Sequence, residues 1–270
     1  MKKSIFNKKE LTIFGNNKIK SFINSTDFDY HWDNNVLEVS KQKLSVAEEF
    51  LSPAIASLKG VNKQFKILDA GCGDGVHIDF FEKQKRKNFK LYALDISLSI
   101  ISRLAEKDNK TQFIHADISN LPFKNNIFDI TFSYGVIAYT HSPLDSFNEL
   151  VRVTKKGGLI GVWLYPQKTG FLGFVFRIIR KITKHLNKFS RQRLADLIVP
   201  FLYFLPINSK INLSNSSWSQ CREIVLVNIE PKNLVFFKEE EVLSWFKEND
   251  TEVVNISKEP ISIWGKKKNK

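Results

Sequence analysis

The residues best suited to chemistry lie in one stretch, Ile67–Gly75, which reads Ile-Leu-Asp-Ala-Gly-Cys-Gly-Asp-Gly. An apolar run ends in a carboxylate, Asp69, and glycines follow at Gly71, Gly73 and Gly75. Glycines let the chain turn sharply and let a ligand approach the backbone. A helix beginning near Val76 presents free N–H groups and partial positive charge at its start. The spacing excludes two phosphate binders. A dinucleotide fingerprint counted from Gly71 needs its third glycine where Val76 stands, and no Gly-Lys-Ser/Thr follows for a nucleotide-binding P-loop. A carboxylate at the strand tip repels a pyrophosphate but suits a ligand carrying an ammonium group.

Two further carboxylates follow at the spacing of successive strand–helix units. Asp95 closes Leu91–Asp95, and Asp117 stands in His115-Ala116-Asp117-Ile118. An acidic residue at the end of the next strand can accept from both hydroxyls of a ribose. Asp117 can accept from an adenine amino group, with Ile96 and Ile118 on the base faces. An ammonium, a ribose, an adenine and no phosphate describe S-adenosylmethionine. Cys72 and Ser133 border the same region.

These residues need a scaffold that brings strand ends together. Apolar runs at Phe65–Leu68, Leu91–Leu94, Gln112–Ile114, Phe128–Phe132 and Leu159–Leu164 alternate with helix-suited stretches at 76–84, 97–107 and 144–153. That alternation predicts βαβ units and a parallel sheet, whose strands are buried on both faces. A helix over about 40–58 precedes them. Another, Glu239–Glu248, follows, with strand-like runs at Glu252–Ile256 and Ile261–Trp264. The stretch between is too long for a plain connection. Four parts are expected: an N-terminal helical lid segment (1–60), a cofactor-binding core (61–165), an inserted basic and apolar cap (166–238), and a last helix with two strands (239–270). Lys266–Lys270 reads as a frayed tail.

The chain has 270 residues, a formal net charge of +13, 23 phenylalanines and one methionine, which predicts a Phe-filled core. The charge points to an acidic partner: nucleic acid, anionic lipid or an anionic small substrate. Two cysteines make no disulfide framework, and no Cys/His cluster has metal-ligand spacing. The N-terminal residues lack the apolar run of a signal peptide, and no segment is long and apolar enough to span a bilayer. A cytoplasmic setting is expected. From Pro166 to Ala195 there are eight Lys/Arg and no Asp/Glu. Phe171, Phe174, Val175, Ile178, Ile182 and Leu186 can share one helical face, with basic residues on another. Such a helix over 171–189 serves either as a lid over a site or as a contact with an anionic membrane at the inner surface.

The motifs Ile67–Gly75, Leu91–Asp95, Ala116-Asp117, Phe128-Asp129-Ile130 and Arg152–Gly158 resemble those of the class I S-adenosylmethionine-dependent methyltransferases, most closely the small-molecule branch of ubiquinone/menaquinone-type enzymes. The resemblance covers about 65–164 and the elements after Glu239. It implies a Rossmann-like, doubly wound sheet of seven mostly parallel strands with the last strand antiparallel. It implies that Asp69, Gly71, Gly73 and Gly75 surround the methionine part of the cofactor, with Asp95 on the ribose and Asp117 near the adenine. Ser133, Tyr134 and Gly135 would line the transfer site. The family fixes no catalytic base; Tyr139 and His141 are the acid–base candidates. Ser133-Tyr134-Gly135-Val136 departs from the Asn/Asp-Pro-Pro-Tyr/Phe of enzymes that methylate exocyclic base amines. The expected activity is methyl transfer to an oxygen or carbon of a small-molecule or lipid-linked acceptor. An RNA methyltransferase and a non-catalytic cofactor-binding scaffold are the alternatives, the first disfavoured by the lack of an RNA-binding module.

Overall fold

The computed structural model describes residues 2–6, 9–13, 41–58, 63–84, 88–167, 178–183, 185–204, 218–229, 234–257 and 261–269. It forms two compact units. One takes in Met1–Pro166 and Val235–Lys270, the other Gln167–Leu234.

The larger unit is built on a sheet of strands β1 (Lys2–Phe6), β2 (Lys9–Ile13), β3 (Phe65–Ala70), β4 (Phe89–Asp95), β5 (Gln112–His115), β6 (Phe128–Tyr134), β7 (Thr154–Leu164), β8 (Thr251–Ser257) and β9 (Ile261–Lys267). Their order across the sheet is β1-β2-β5-β4-β3-β6-β7-β9-β8. The seven strands from β5 to β8 are the expected doubly wound sheet. β9 runs antiparallel to both β7 and β8, and β3 to β7 pair in parallel. Central strands are buried on both faces, as in Phe128–Ser133 of β6, so they read as continuous apolar runs.

The helices of this unit are α1 (Lys41–Leu58), α2 (Val76–Glu82), α3 (Leu98–Lys107), α4 (Pro143–Val153) and, late in the chain, α7 (Glu239–Glu248). On one face of the sheet, Phe50, Leu51 and Ala54 of α1, Phe81 of α2 and Ile100 of α3 share a core with Ile67, Phe132 and Trp264. The indole N–H of Trp264 donates to the Phe50 carbonyl at 2.8 Å, pinning α1 to β9. The Phe-filled core is present: Phe81, Phe128, Phe132, Phe147, Phe237 and Phe246 are among the largest fully buried side chains.

Three features depart from the sequence reading. The first 60 residues are not helical throughout. Lys2–Phe6 and Lys9–Ile13 form an antiparallel pair whose second strand adds to β5 through Thr12↔Ile114 and Ile13↔His115. The open edge of β5 offers unpaired backbone groups, and no local pattern announces that partner. Tyr30 and Trp32 lie outside the described residues. The tail is ordered through Lys267, whose ammonium donates to Val151 O (2.7 Å), Thr154 O (2.9 Å) and Asn126 Oδ1 (3.1 Å). Those carbonyls at the end of α4 attract the cation.

The smaller unit contains α5 (Lys188–Phe204) and α6 (Trp218–Ile229), packed through Ala195, Val199, Cys221, Val225, Leu226 and Ile229. Pro200 sits inside α5 and hides its helical character from a sequence reading. A single amphipathic helix over 171–189 is the third departure. Residues 178–183 are helical, but 185–187 form a turn before α5 begins. Asn187 causes the break: its Oδ1 accepts from Ser190 N at 2.9 Å, the bond of a helix N-cap. Phe171, Phe174 and Val175 lie outside the described residues. Among the described residues no helix is long and apolar enough to cross a membrane.

Candidate active site

The strand order reverses between β3 and β6, and open α/β sheets bind ligands outside the strand carboxyl ends at such a point. Here β3 runs into the glycine turn. Gly71 N–H and Cys72 N–H both donate to the Leu94 carbonyl, at 2.7 and 3.0 Å, folding the chain over the end of β4. Gly71 has φ +93°, and a Cβ there would stand 2.3 Å from Val136 Cγ2. Gly73, at φ +48°, turns its N–H onto Asp95 Oδ2 at 3.0 Å. The other Asp95 oxygen accepts from Ser97 N–H at 2.9 Å. Ala116 N–H donates to the Asp95 carbonyl at 3.1 Å, and His115 Nε2 lies 2.9 Å from Ile96 O. Asp117 caps a 3-10 turn at Ile118–Asn120, its Oδ1 accepting from Ser119 N–H and Oγ–H. Ile118 is buried and Ile96 half-buried.

The electrostatics of the turn are negative. Burial, opposed by the Ser97 and Gly73 N–H bonds and reinforced by Asp69, holds the Asp95 carboxyl above the usual carboxylate range. Burial and then the charges of Asp95 and Asp69 push the Cys72 thiol well up. Cys72 therefore stays a neutral thiol, packed in the core beneath the turn. Asp69 is fully buried. Its Oδ2 lies 3.3 Å from His77 Nδ1, and its Oδ1 has no protein partner. The Ser133 hydroxyl, buried at the end of β6, likewise has none.

At the carboxyl ends of β6 and β7 stands a band of half-buried aromatic rings. Tyr134 stacks on Trp163 at 4.6 Å, Trp163 meets Tyr165 edge-on at 4.9 Å, and Tyr165 meets Tyr139 at 6.0 Å. Tyr139 hydrogen-bonds the Tyr165 hydroxyl, whose pKa burial nevertheless raises. Burial raises that of Tyr134 further. His141 is exposed on the loop beyond the turn Ile137–Tyr139. A separate cleft of about 290 Å³ lies at the opposite ends of the strands, beside Lys63, Asp129, Lys155 and Lys266. It is distant in the fold from the glycine turn, and its Asp129 is engaged by Lys63 and Lys155 at 2.9 and 3.0 Å.

Residues 68–162 match the family model described as a methyltransferase domain. An uncharacterized protein of Methanocaldococcus jannaschii is 36% identical over 177 residues, 64% of this chain and 75% of that protein. A malonyl-[acyl-carrier protein] O-methyltransferase of Buchnera aphidicola is 34% identical over 94 residues, 35% of this chain. The chain spans only 37% of that enzyme's length. Among solved structures, the chain is similar to a SAM-dependent methyltransferase from Aquifex aeolicus (TM-score 0.51, 13% identity, 91% of this chain and 99% of that one). It is also similar to the Burkholderia thailandensis 1,6-didemethyltoxoflavin-N1-methyltransferase with bound 1,6-didemethyltoxoflavin and S-adenosylhomocysteine (TM-score 0.52, 13% identity, 91% and 87%). At these identities the structural likeness is one of fold. Residues 68–162 belong to the methyltransferase domain family, on the fold of the class I S-adenosylmethionine-dependent enzymes.

The cofactor of this methyltransferase is S-adenosylmethionine, and the residues present fit it. A ligand with an ammonium and no phosphate matches a turn bearing buried carboxylates, one with an unpartnered oxygen. Asp69, the three glycines, Asp95 and Ser133 come to neighbouring strand ends, and Asp117 and Ile118 are tied to them through β5. Cys72 is there by its backbone, while its side chain points into the core. His141 is exposed on the loop that follows Ile137–Tyr139. Sequence reasoning missed His77 and Phe50. A histidine on the inward face of a helix directly after the glycine turn was the only available sign of the first. Phe50 gave none, because α1 reaches the site from far along the chain.

Proposed function

We propose that the protein transfers the methyl group of S-adenosylmethionine to an oxygen or carbon atom of a small-molecule or lipid-linked acceptor. The contact between Gly73 N–H and Asp95 Oδ2, 3.0 Å, carries this reading, because it locks the glycine turn to the acid at the next strand end. Asp95 would accept from the ribose hydroxyls, Asp117 from the adenine amino group between Ile96 and Ile118, and Asp69 would face the ammonium. When bound, the cofactor supplies a methyl group already activated by a sulfonium. The chain's task is then alignment, which can contribute on the order of 7–11 kcal/mol. Ser133, Tyr134 and Gly135 border the transfer side, and the rings of Trp163 and Tyr165 exclude water there. Tyr134 and Tyr165 keep their protons and serve as walls and donors. Tyr139, bonded to Tyr165, and His141 are the proposed acid–base groups for an acceptor that must lose a proton. The relatives named as O-methyltransferases support an oxygen acceptor. Exposed Ile182, next in the chain to Lys181, and exposed Phe189, 57% and 62% accessible, the latter under Arg193 at 4.7 Å, support contact of the smaller unit with an anionic membrane.

Calorimetry tests the site. S-adenosylhomocysteine is expected to bind with a Kd of about micromolar, and Asp95→Ala or Gly73→Val to weaken it more than about tenfold. Unchanged affinity in both variants refutes the placement. Labelled cofactor incubated with cell extract, then split into lipid, RNA and soluble fractions, identifies the acceptor.

A further inference from the structure

His77 lies eight positions after Asp69, on the inward face of α2, and is 3% exposed. Its ring stands among Phe132 at 5.3 Å, Tyr134 at 5.2 Å and Phe50 at 6.2 Å. Its polar contact is Nδ1 with Asp69 Oδ2, 3.3 Å apart. A carboxylate facing Nδ1 favours a hydrogen on that nitrogen. Both Nε2 and Asp69 Oδ1 are buried without a protein partner. A carboxylate oxygen buried without a donor is costly, and Asp69 Oδ1 is such an atom. Among the described residues no Lys or Arg pairs with Asp69 or Asp95, although their charges act together on Cys72.

We infer that His77 is a positioning residue that holds the Asp69 carboxylate so that Oδ1 faces the cationic amino group of the cofactor's amino-acid half. The inference rests on the cofactor site proposed above. The phenyl edges around the imidazole keep it from turning, and the Nδ1–H bond takes up one carboxylate oxygen. The remaining oxygen is left with a fixed direction. The effect is selective: it acts on the amino-acid half of the ligand and not on the nucleoside.

Two ligands and two variants separate this from a packing role. S-adenosylhomocysteine carries the amino-acid half, and 5′-methylthioadenosine shares the nucleoside and thioether but lacks it. His77→Phe keeps a ring in the aromatic cage and removes the N–H. His77→Asn places an amide N–H where Nδ1 stands. By calorimetry, His77→Phe is expected to lower affinity for S-adenosylhomocysteine about tenfold or more while changing 5′-methylthioadenosine less than about twofold, and His77→Asn to recover most of the loss. Equal losses for both ligands, no loss for either, or no recovery with Asn overturns the inference. Should His77→Phe fail to unfold cooperatively, His77→Gln, whose amide reaches toward the Nε2 position, replaces it with the same ligand-selective loss expected. Asp95→Ala, run in parallel, should weaken both ligands. If it weakens neither, the site reading itself fails, whatever His77 does.

Discussion

At the scale of single residues, Asp95 sets the pH behaviour expected of cofactor binding. Its folded-state pKa is raised, chiefly by burial. Such a group contributes stability below its unfolded pKa and loses that contribution as pH rises through the folded value. In its ionised form the carboxylate therefore costs the fold something, and it is this form that the proposed site uses to accept from the ribose. Affinity for S-adenosylhomocysteine should fall with acidification at a pH above the ordinary carboxylate range, and Asp95→Asn should bind weakly with that limb gone. An affinity that stays flat across the mildly acid range would contradict this. Gly71 is the second residue with a definite expectation. Gly71→Ala places a methyl against Val136 at a backbone conformation that disfavours it, at a cost of about 1–3 kcal/mol in urea unfolding. Trimming the neighbour in Gly71→Ala/Val136→Ala should recover less than half of it, since the φ strain remains.

At the scale of elements, one guanidinium fastens α4 to the loop after β5. Arg152 donates from Nε and Nη2 to Glu149 (2.6 and 2.7 Å), from Nη1 to Phe123 O and Asn125 Oδ1 (2.7 and 2.9 Å), and from Nη2 to Leu121 O (2.9 Å). Glu149 in turn accepts from Leu121 N–H at 2.7 Å. The bond from Glu149 raises the Arg152 pKa, so the charge persists. Arg152→Ala should cost about 2–3 kcal/mol in chemical unfolding, and Arg152→Lys should recover little, because a point cation cannot form the fork. At the opposite strand ends, burial lifts the Asp129 carboxyl, but the Lys66 N–H and the ammonium groups of Lys63 and Lys155 outweigh it and leave the pKa lowered. A lowered carboxyl stabilises above its unfolded pKa and loses that contribution as pH falls through the folded value. Asp129→Asn should therefore destabilise at neutral pH and make the remaining stability less sensitive to acid, as thermal unfolding against pH will show.

At the scale of the whole molecule, the chain forms two units. One holds the sheet and the glycine turn, and Gln167–Leu234 has its own small core. The proposed membrane contact belongs to this smaller unit. Flotation with phosphatidylglycerol vesicles should carry the protein upward at low salt and release it at high salt. Phosphatidylcholine vesicles should not carry it, and Phe189→Glu should abolish the effect. Equal recovery with both lipids, or with neither, counts against the contact.

The amino-acid sequence alone was enough for the sheet's parallel strands, the boundaries of Glu239–Glu248, and the order Asp69, Gly71, Gly73, Gly75, Asp95, Asp117. These follow from local rules: apolar runs buried on both faces, glycines where the chain must turn, acids at strand ends. What depends on partners far along the chain had to wait for the fold. The N-terminal pair adds to an edge that β5 happens to leave open. Lys267 finds carbonyls more than a hundred positions away. Asn187 divides a stretch whose apolar spacing alone suggests one helix. Asp69 and His77 become a pair only because the glycine turn folds α2 back over the strand. Periodicity records which face of an element is apolar, whereas the three-dimensional packing decides which polar atoms meet on the buried side and which are left for a ligand.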